Sequence, residues 1–215
     1  YRWCLGAVDS AGNETLCPAW EFRIEYGDSI HGRDTHIGTG GFASASHLDY
    51  FVYAKSTSFD DILESGVEAW NGISSKVNLH RDGNPAGGEA GYEIGVYESP
   101  SENHPDHLGY AVWKTGGING TELPDDDFDS RCDYVEVQIY KDNITRYGAS
   151  KYKEVVMHEV GHALSLLHTN IKGNSIAITI DGTKNVNLVM NTNYKIQPNS
   201  PSTTDRDHLR IKWGA

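Results

Sequence analysis

No stretch of the chain approaches the run of about 20 apolar residues that a membrane helix needs, and candidates such as 154–157 are broken at once by polar neighbours. That excludes a helical membrane span. Basic clusters are missing too. Against 30 Asp and Glu stand 18 Lys and Arg, for a formal net charge of -12, a balance that repels phosphate backbones and excludes nucleic acid as a partner. Cysteine is scarce, with three in the chain. Cys4 and Cys17 flank a turn-rich loop and could close a disulfide, which points to an oxidising compartment. Cys132 then remains as a free, buried thiol, although a Cys17 to Cys132 bridge stays open. An initiator Met and an apolar leader are also lacking, so the chain reads as a processed product or an excerpt.

What is present supports a packed interior. Of 215 residues, 38% are hydrophobic and 22% charged, with 12 Tyr and 5 Trp, so the expectation is one well-packed domain plus an appendage. In residues 1–26, Tyr1, Trp3 and Leu5 alternate, a turn follows, and Trp20, Phe22 and Ile24 alternate again, the pattern of a hairpin. The same segment, with its YRWCLGAVDSAGN run, resembles the last two strands of fibronectin type III modules. Whether it ends a truncated module or is an N-terminal hairpin of the main domain is open. Residues 27–46 are Gly- and Ser-rich without periodicity, including His31 and His36, and read as a linker. The main domain is expected over 47–215.

Within it, 48–54 suits a strand, and 58–70 suits a helix opened by a Ser58–Asp61 capping box. Its buried stripe would be Phe59, Ile62, Leu63, Gly66, Val67 and Trp70. Short strands are expected at 77–79, 92–97, 108–114 and 134–140, and a long amphipathic helix from Ser150.

That last helix carries the chemistry. Residues four apart project from one helical face, so His158 and His162 present two imidazoles to one metal, while Val156, Val160, Ala163 and Leu167 offer a separate apolar stripe. Glu159 sits beside the first ligand, placed to serve a zinc-bound water as general base and later acid. His168, six residues beyond His162, supplies a third nitrogen once the helix stops and the chain turns back. Three neutral imidazoles leave a tetrahedral position for water, the pattern of a catalytic zinc.

HEVGHALSLLH at 158–168 resembles the HExxHxxGxxH signature of the metzincin peptidases, and NLVMNTNY at 187–194 resembles their Met-turn, with Met190 the methionine under the metal. Tyr194, VEAWN at 67–71 and PSTTDRDHLRIKWG at 201–214 resemble features of the matrixin branch, and the nearest kin read as bacterial-type matrixins. The resemblance implies an α+β fold: a twisted, mostly parallel sheet with an antiparallel edge strand, two long helices and a C-terminal helix. It further implies that Leu108, Gly109, Tyr110 and Ala111 lie on a sheet edge that pairs with extended substrate, and that Tyr194 and the stretch 191–197 wall the pocket beyond the cut. One departure stands in the signature. Its glycine, which takes a left-handed conformation to end the helix, is Ser165 here. The family's PRCGxPD latency motif is absent.

His104, Asp106 and His107 lie where matrix metalloproteinases place ligands of a structural zinc, with Tyr110 and Asp127 at the remaining family positions; exposed loop histidines are the other reading. Asp125, Asp126, Asp127 and Asp129 suit calcium or a solvated acidic turn. Sequons occur at Asn13, Asn119 and Asn143. The expectation is therefore a secreted, extracellular zinc endopeptidase, monomeric, cutting protein or peptide. The competing class is a zinc-holding, inactive binding module of a multidomain surface protein.

Overall fold

The computed structural model describes residues 2–3, 6–8, 14–16, 20–21, 37–82, 91–101, 104–124, 129–148, 150–168, 177–178, 184–185, 189–190 and 199–215. Near the N-terminus, β1 (Arg2–Trp3) pairs antiparallel with β4 (Trp20–Glu21), and β2 (Gly6–Val8) with β3 (Glu14–Leu16). The main body follows.

Six strands form its sheet: β5 (Leu48–Tyr53), β6 (Leu79–Arg81), β7 (Ile94–Ser99), β8 (Gly109–Thr115), β9 (Thr121–Glu122) and β10 (Tyr134–Tyr140), ordered β6-β5-β7-β10-β8-β9. The first four in that order run parallel, and β8 lies antiparallel against β10. This is a mixed α+β architecture with a mostly parallel sheet. Period-2 alternation explains why β5 buries Leu48, Tyr50 and Val52 together. β9 pairs only with the far end of β8, at Lys114 and Thr115. From Gly109 to Trp113, β8 has no second strand partner among the described residues.

Helix α1 (Thr57–Glu68) crosses between the parallel strands β5 and β6 and packs on α3 (Ser150–Ala163), which also lies against β8 and β10. The two helices approach closely because Gly66 carries no side chain: a Cβ there would stand 2.6 Å from Val156 Cβ. The apolar stripes meet at this contact, with Leu63, Val67, Trp70, Val156 and Val160 fully buried. A short α2 (Lys141–Thr145) precedes α3, and α4 (Thr203–Trp213) closes the chain.

Some boundaries differ from expectation. Helix α1 starts at Thr57 with Ser56 as N-cap and no side-chain cap bond. The Ser56 carbonyl takes the Phe59 and Asp60 N–H groups, so Ser58 is already inside the first turn and forms no box with Asp61. Strand β6 begins at Leu79 because Val77 N–H is spent on a turn to Ser74. Of the expected linker, residues 37–46 are described. Gly38, Gly40, Gly41, Phe42 and Ala45 among them are buried in the main body. Cys132 is free and buried, which rules out the Cys17 bridge, and burial pushes its thiol pKa up to about 12. Cys4 and Cys17 lie outside the described residues. Among the described residues, no helix is long and apolar enough to cross a membrane.

Candidate metal centre

Helix α3 presents His158 and His162 one turn apart, and the structure brings His168 to meet them. His168 Nε2 lies 3.0 Å from His158 Nε2 and 3.1 Å from His162 Nε2. Backbone carbonyls fix the other ring nitrogens: His158 Nδ1 donates to Val189 O at 2.7 Å, and His162 Nδ1 to Leu166 O at 2.8 Å. A carbonyl can only accept, so both Nδ1 atoms carry the proton in the neutral rings, and both Nε2 atoms turn lone pairs inward. One Nε2–H on His168 could satisfy only one of them. Three converging imidazole nitrogens with this tautomer could hold a cation. Burial lowers the His158 pKa to about 3, with the neighbouring His168 adding to the effect, and lowers those of His162 and His168 as well. The rings are thereby held in the neutral, ligating form.

The turn that delivers His168 is a Schellman motif. Leu166 N–H reaches back to Gly161 O at 2.9 Å and Ser165 N–H to His162 O at 2.9 Å. Ser165 occupies the left-handed position, with φ 65, the one described non-glycine residue at positive φ. Ser tolerates this at a cost of about 1 kcal/mol. His168 itself is exposed, so the site is open to solvent on that side.

Glu159 is buried next to the histidines. Strand β8 crosses over it so closely that a Cβ on Gly109 would stand 2.7 Å from Glu159 Cγ and 2.9 Å from its Oε1. Burial raises the Glu159 carboxyl to about 8. Gly109, Tyr110 and Ala111 are half-buried along β8, and Leu108 is buried just before it, its carbonyl accepting Tyr140 N–H at 2.9 Å. The stretch of β8 that lies beyond its pairing with β9 therefore begins beside Glu159.

Met190 is fully buried under α3. The helix admits its sulfur at Gly161, where a Cβ would run into Met190 Sδ and stand 3.1 Å from Trp70 Cζ2. Trp70 in turn donates Nε1–H to Met157 O at 3.0 Å. Sequence reasoning missed Asp205. Its carboxylate accepts the N–H groups of Val189 at 2.9 Å, Met190 at 3.2 Å and Ser202 at 2.8 Å, and Val189 is the residue whose carbonyl orients His158. The S-x-x-D spacing of Ser202 and Asp205, which forms a capping box on α4, was the available signal.

Other expected sites come out differently. Rings of His104 and His107 stack at 5.7 Å between centroids, with Tyr110 and Tyr140 beside His104, and Asn143 binds both their carbonyls. Among the described residues, the groups able to share a metal are the three histidines and Asp60, Asp61 and Glu64; His104, Asp106 and His107 do not form one. Arg81 already engages Asp60 and Glu64. Asp129 accepts from Thr39. Tyr194, the 191–197 wall, Asp125, Asp126, Asp127, His31 and His36 lie outside the described residues.

No family model matches the chain, and no curated protein matches it. Among solved structures it is similar to two of myroilysin. One shares 11% identity over 84% of this chain and 98% of that one, with a TM-score of 0.49; the other shares 12% over 83% and 87%, with a TM-score of 0.48. At that depth of likeness, the chemistry is read from the site alone.

Proposed function

We propose that the chain is a secreted, zinc-dependent endopeptidase of metzincin type, nearest the matrixins, with its catalytic part in 47–215 and residues 1–26 as the end of a fibronectin type III-like module. One observation carries the reading: His168 Nε2 stands within hydrogen-bond distance of both His158 Nε2 and His162 Nε2, whose lone pairs turn inward, beside a buried carboxyl. That donor set fits zinc, which takes neutral imidazoles in a tetrahedral site. When bound, the ion supplies Lewis acidity, polarising an amide carbonyl and acidifying water at the site. His158, His162 and His168 would hold it through neutral imidazoles.

Glu159 accepts the proton of the attacking water and returns it to the departing amine. Gly109 leaves the carboxylate the space that a Cβ would otherwise take. Substrate lies extended along β8 from Gly109 to Ala111, adding a strand by backbone hydrogen bonds. The protein acts as a monomer outside the cell.

The test is hydrolysis of casein or a quenched peptide by the zinc-loaded protein. Glu159→Ala is expected to lower the rate by about 10²–10⁴-fold with zinc content unchanged, and a chelator to remove activity reversibly. A wild type that holds zinc and cuts nothing would favour the inactive binding module instead.

A further inference from the structure

We propose that residues 37–42, just upstream of the first sheet strand of the main body, are a positioning strap for the metal centre, gripping the turn that carries Ser165 and so setting where His168 stands. The inference rests on the three-histidine reading of the site.

Ser165 sits in a backbone conformation that its side chain disfavours, and the strap supplies what holds it there. Ile37 forms an antiparallel bridge with Leu166, and Gly38 N–H donates to Ser165 O at 2.8 Å. The Ser165 hydroxyl donates to Gly40 O at 3.3 Å. Leu166 is also the residue whose carbonyl fixes the His162 ring. The strap thus touches the supports of two of the three ligands.

Its other side is anchored to the body of the protein. Gly41 N–H donates to Ser130 O at 2.9 Å, and Cys132 N–H to Gly41 O at 3.2 Å. Lys212 on α4 donates its ammonium to Gly38 O at 2.6 Å and to Gly40 O. The glycines are required by shape. A Cβ on Gly40 would enter the Ser130 carbonyl, and one on Gly41, at φ 99, would run into Ser165 Oγ. The serine that departs from the signature glycine therefore has its partner in the strap.

The experiment measures zinc affinity of the full chain by competition with a chromophoric chelator, and the visible spectrum of the cobalt(II)-loaded protein. Gly41→Ala, which drives a methyl into the Ser165 hydroxyl, is expected to weaken zinc at least tenfold and to shift the cobalt spectrum towards that of His168→Ala. Adding Ser165→Gly removes the collision while keeping the strain at position 41, and is expected to restore at least threefold. Wild-type affinity in Gly41→Ala, or no recovery in the double variant, overturns the strap. Should Gly41→Ala not fold, Lys212→Met leaves the strap and turn residues unsubstituted but removes the ammonium that anchors Gly38 O and Gly40 O, and is expected to weaken zinc severalfold; wild-type affinity there overturns the strap equally. His168→Ala keeps the two readings apart. Wild-type affinity in that variant removes the three-histidine site itself, whereas a loss there beside an unaffected Gly41→Ala removes only the strap.

Discussion

The Asp205 carboxylate is buried, accepts N–H groups from Val189, Met190 and Ser202, and reaches the candidate metal centre through the Val189 carbonyl that orients His158. Burial pushes its pKa up against those hydrogen bonds, so the site depends on keeping every donor satisfied. Asp205→Ala strands the buried N–H groups of Val189 and Met190 and the half-buried one of Ser202, a buried group costing about 1–3 kcal/mol when left unpaired. The expected loss is at least about 2 kcal/mol, read as a lower denaturant midpoint, with weaker zinc binding in the same variant. At this scale the sequence displayed the candidate site, because His158, Glu159 and His162 lie within five consecutive positions. It did not display Asp205, whose partners at 189 and 190 are distant in the chain. Nor did it show that Gly161 is glycine for the sake of Met190.

Helices α1 and α3 pack through Gly66 and Val156, and Trp70 ties the end of the first helix to the Met157 carbonyl of the second. A methyl at position 66 has to displace Val156, so Gly66→Ala is expected to destabilise by about 1–3 kcal/mol, the usual penalty of overpacking, although alanine is the better helix former. Thermal unfolding checks it; a raised Tm would contradict the close contact. Both helices and most strands were legible from hydrophobic periodicity, and β10 matches its expected span from Tyr134 to Tyr140. Element ends were less so. The start of α1 was decided by which carbonyl takes the first helical bonds, and the start of β6 by a turn that consumes the Val77 N–H.

Across the whole molecule, ionisable groups inside the fold set how stability follows pH. Lys151 and Glu154 form a buried ion pair on α3, and Glu154 keeps one oxygen without a partner. Burial raises the Glu154 carboxyl from 4.5 to about 7, although Lys151 pulls it down. A carboxyl with a raised folded pKa binds its proton more tightly in the folded state. Its contribution to stability is therefore fullest below pH 4.5 and is lost as pH climbs to about 7. The loss is on the order of 3 kcal/mol, since the shift from 4.5 to about 7 already includes the pull of Lys151 and a tenfold change in proton affinity is worth about 1.4 kcal/mol. In Glu154→Gln the fall in stability over that window is expected to shrink, measured by urea unfolding at a series of pH values; an unchanged slope would assign it to other groups.

The sequence by itself determined what a single helix can determine. A period of 3.6 residues places His158 and His162 on one face and an apolar stripe on another, whatever surrounds them. The same local logic yielded the strands and the need for a turn before His168. Tertiary structure decided how that turn is made. Ser165 can stand where a glycine is expected because residues 37–41, more than 120 positions earlier, receive its hydroxyl and bond its carbonyl. Bonds within a helix turn are written in adjacent residues. Those between a strap, a turn and a distant helix exist only once the chain has closed on itself, and no local pattern encodes them.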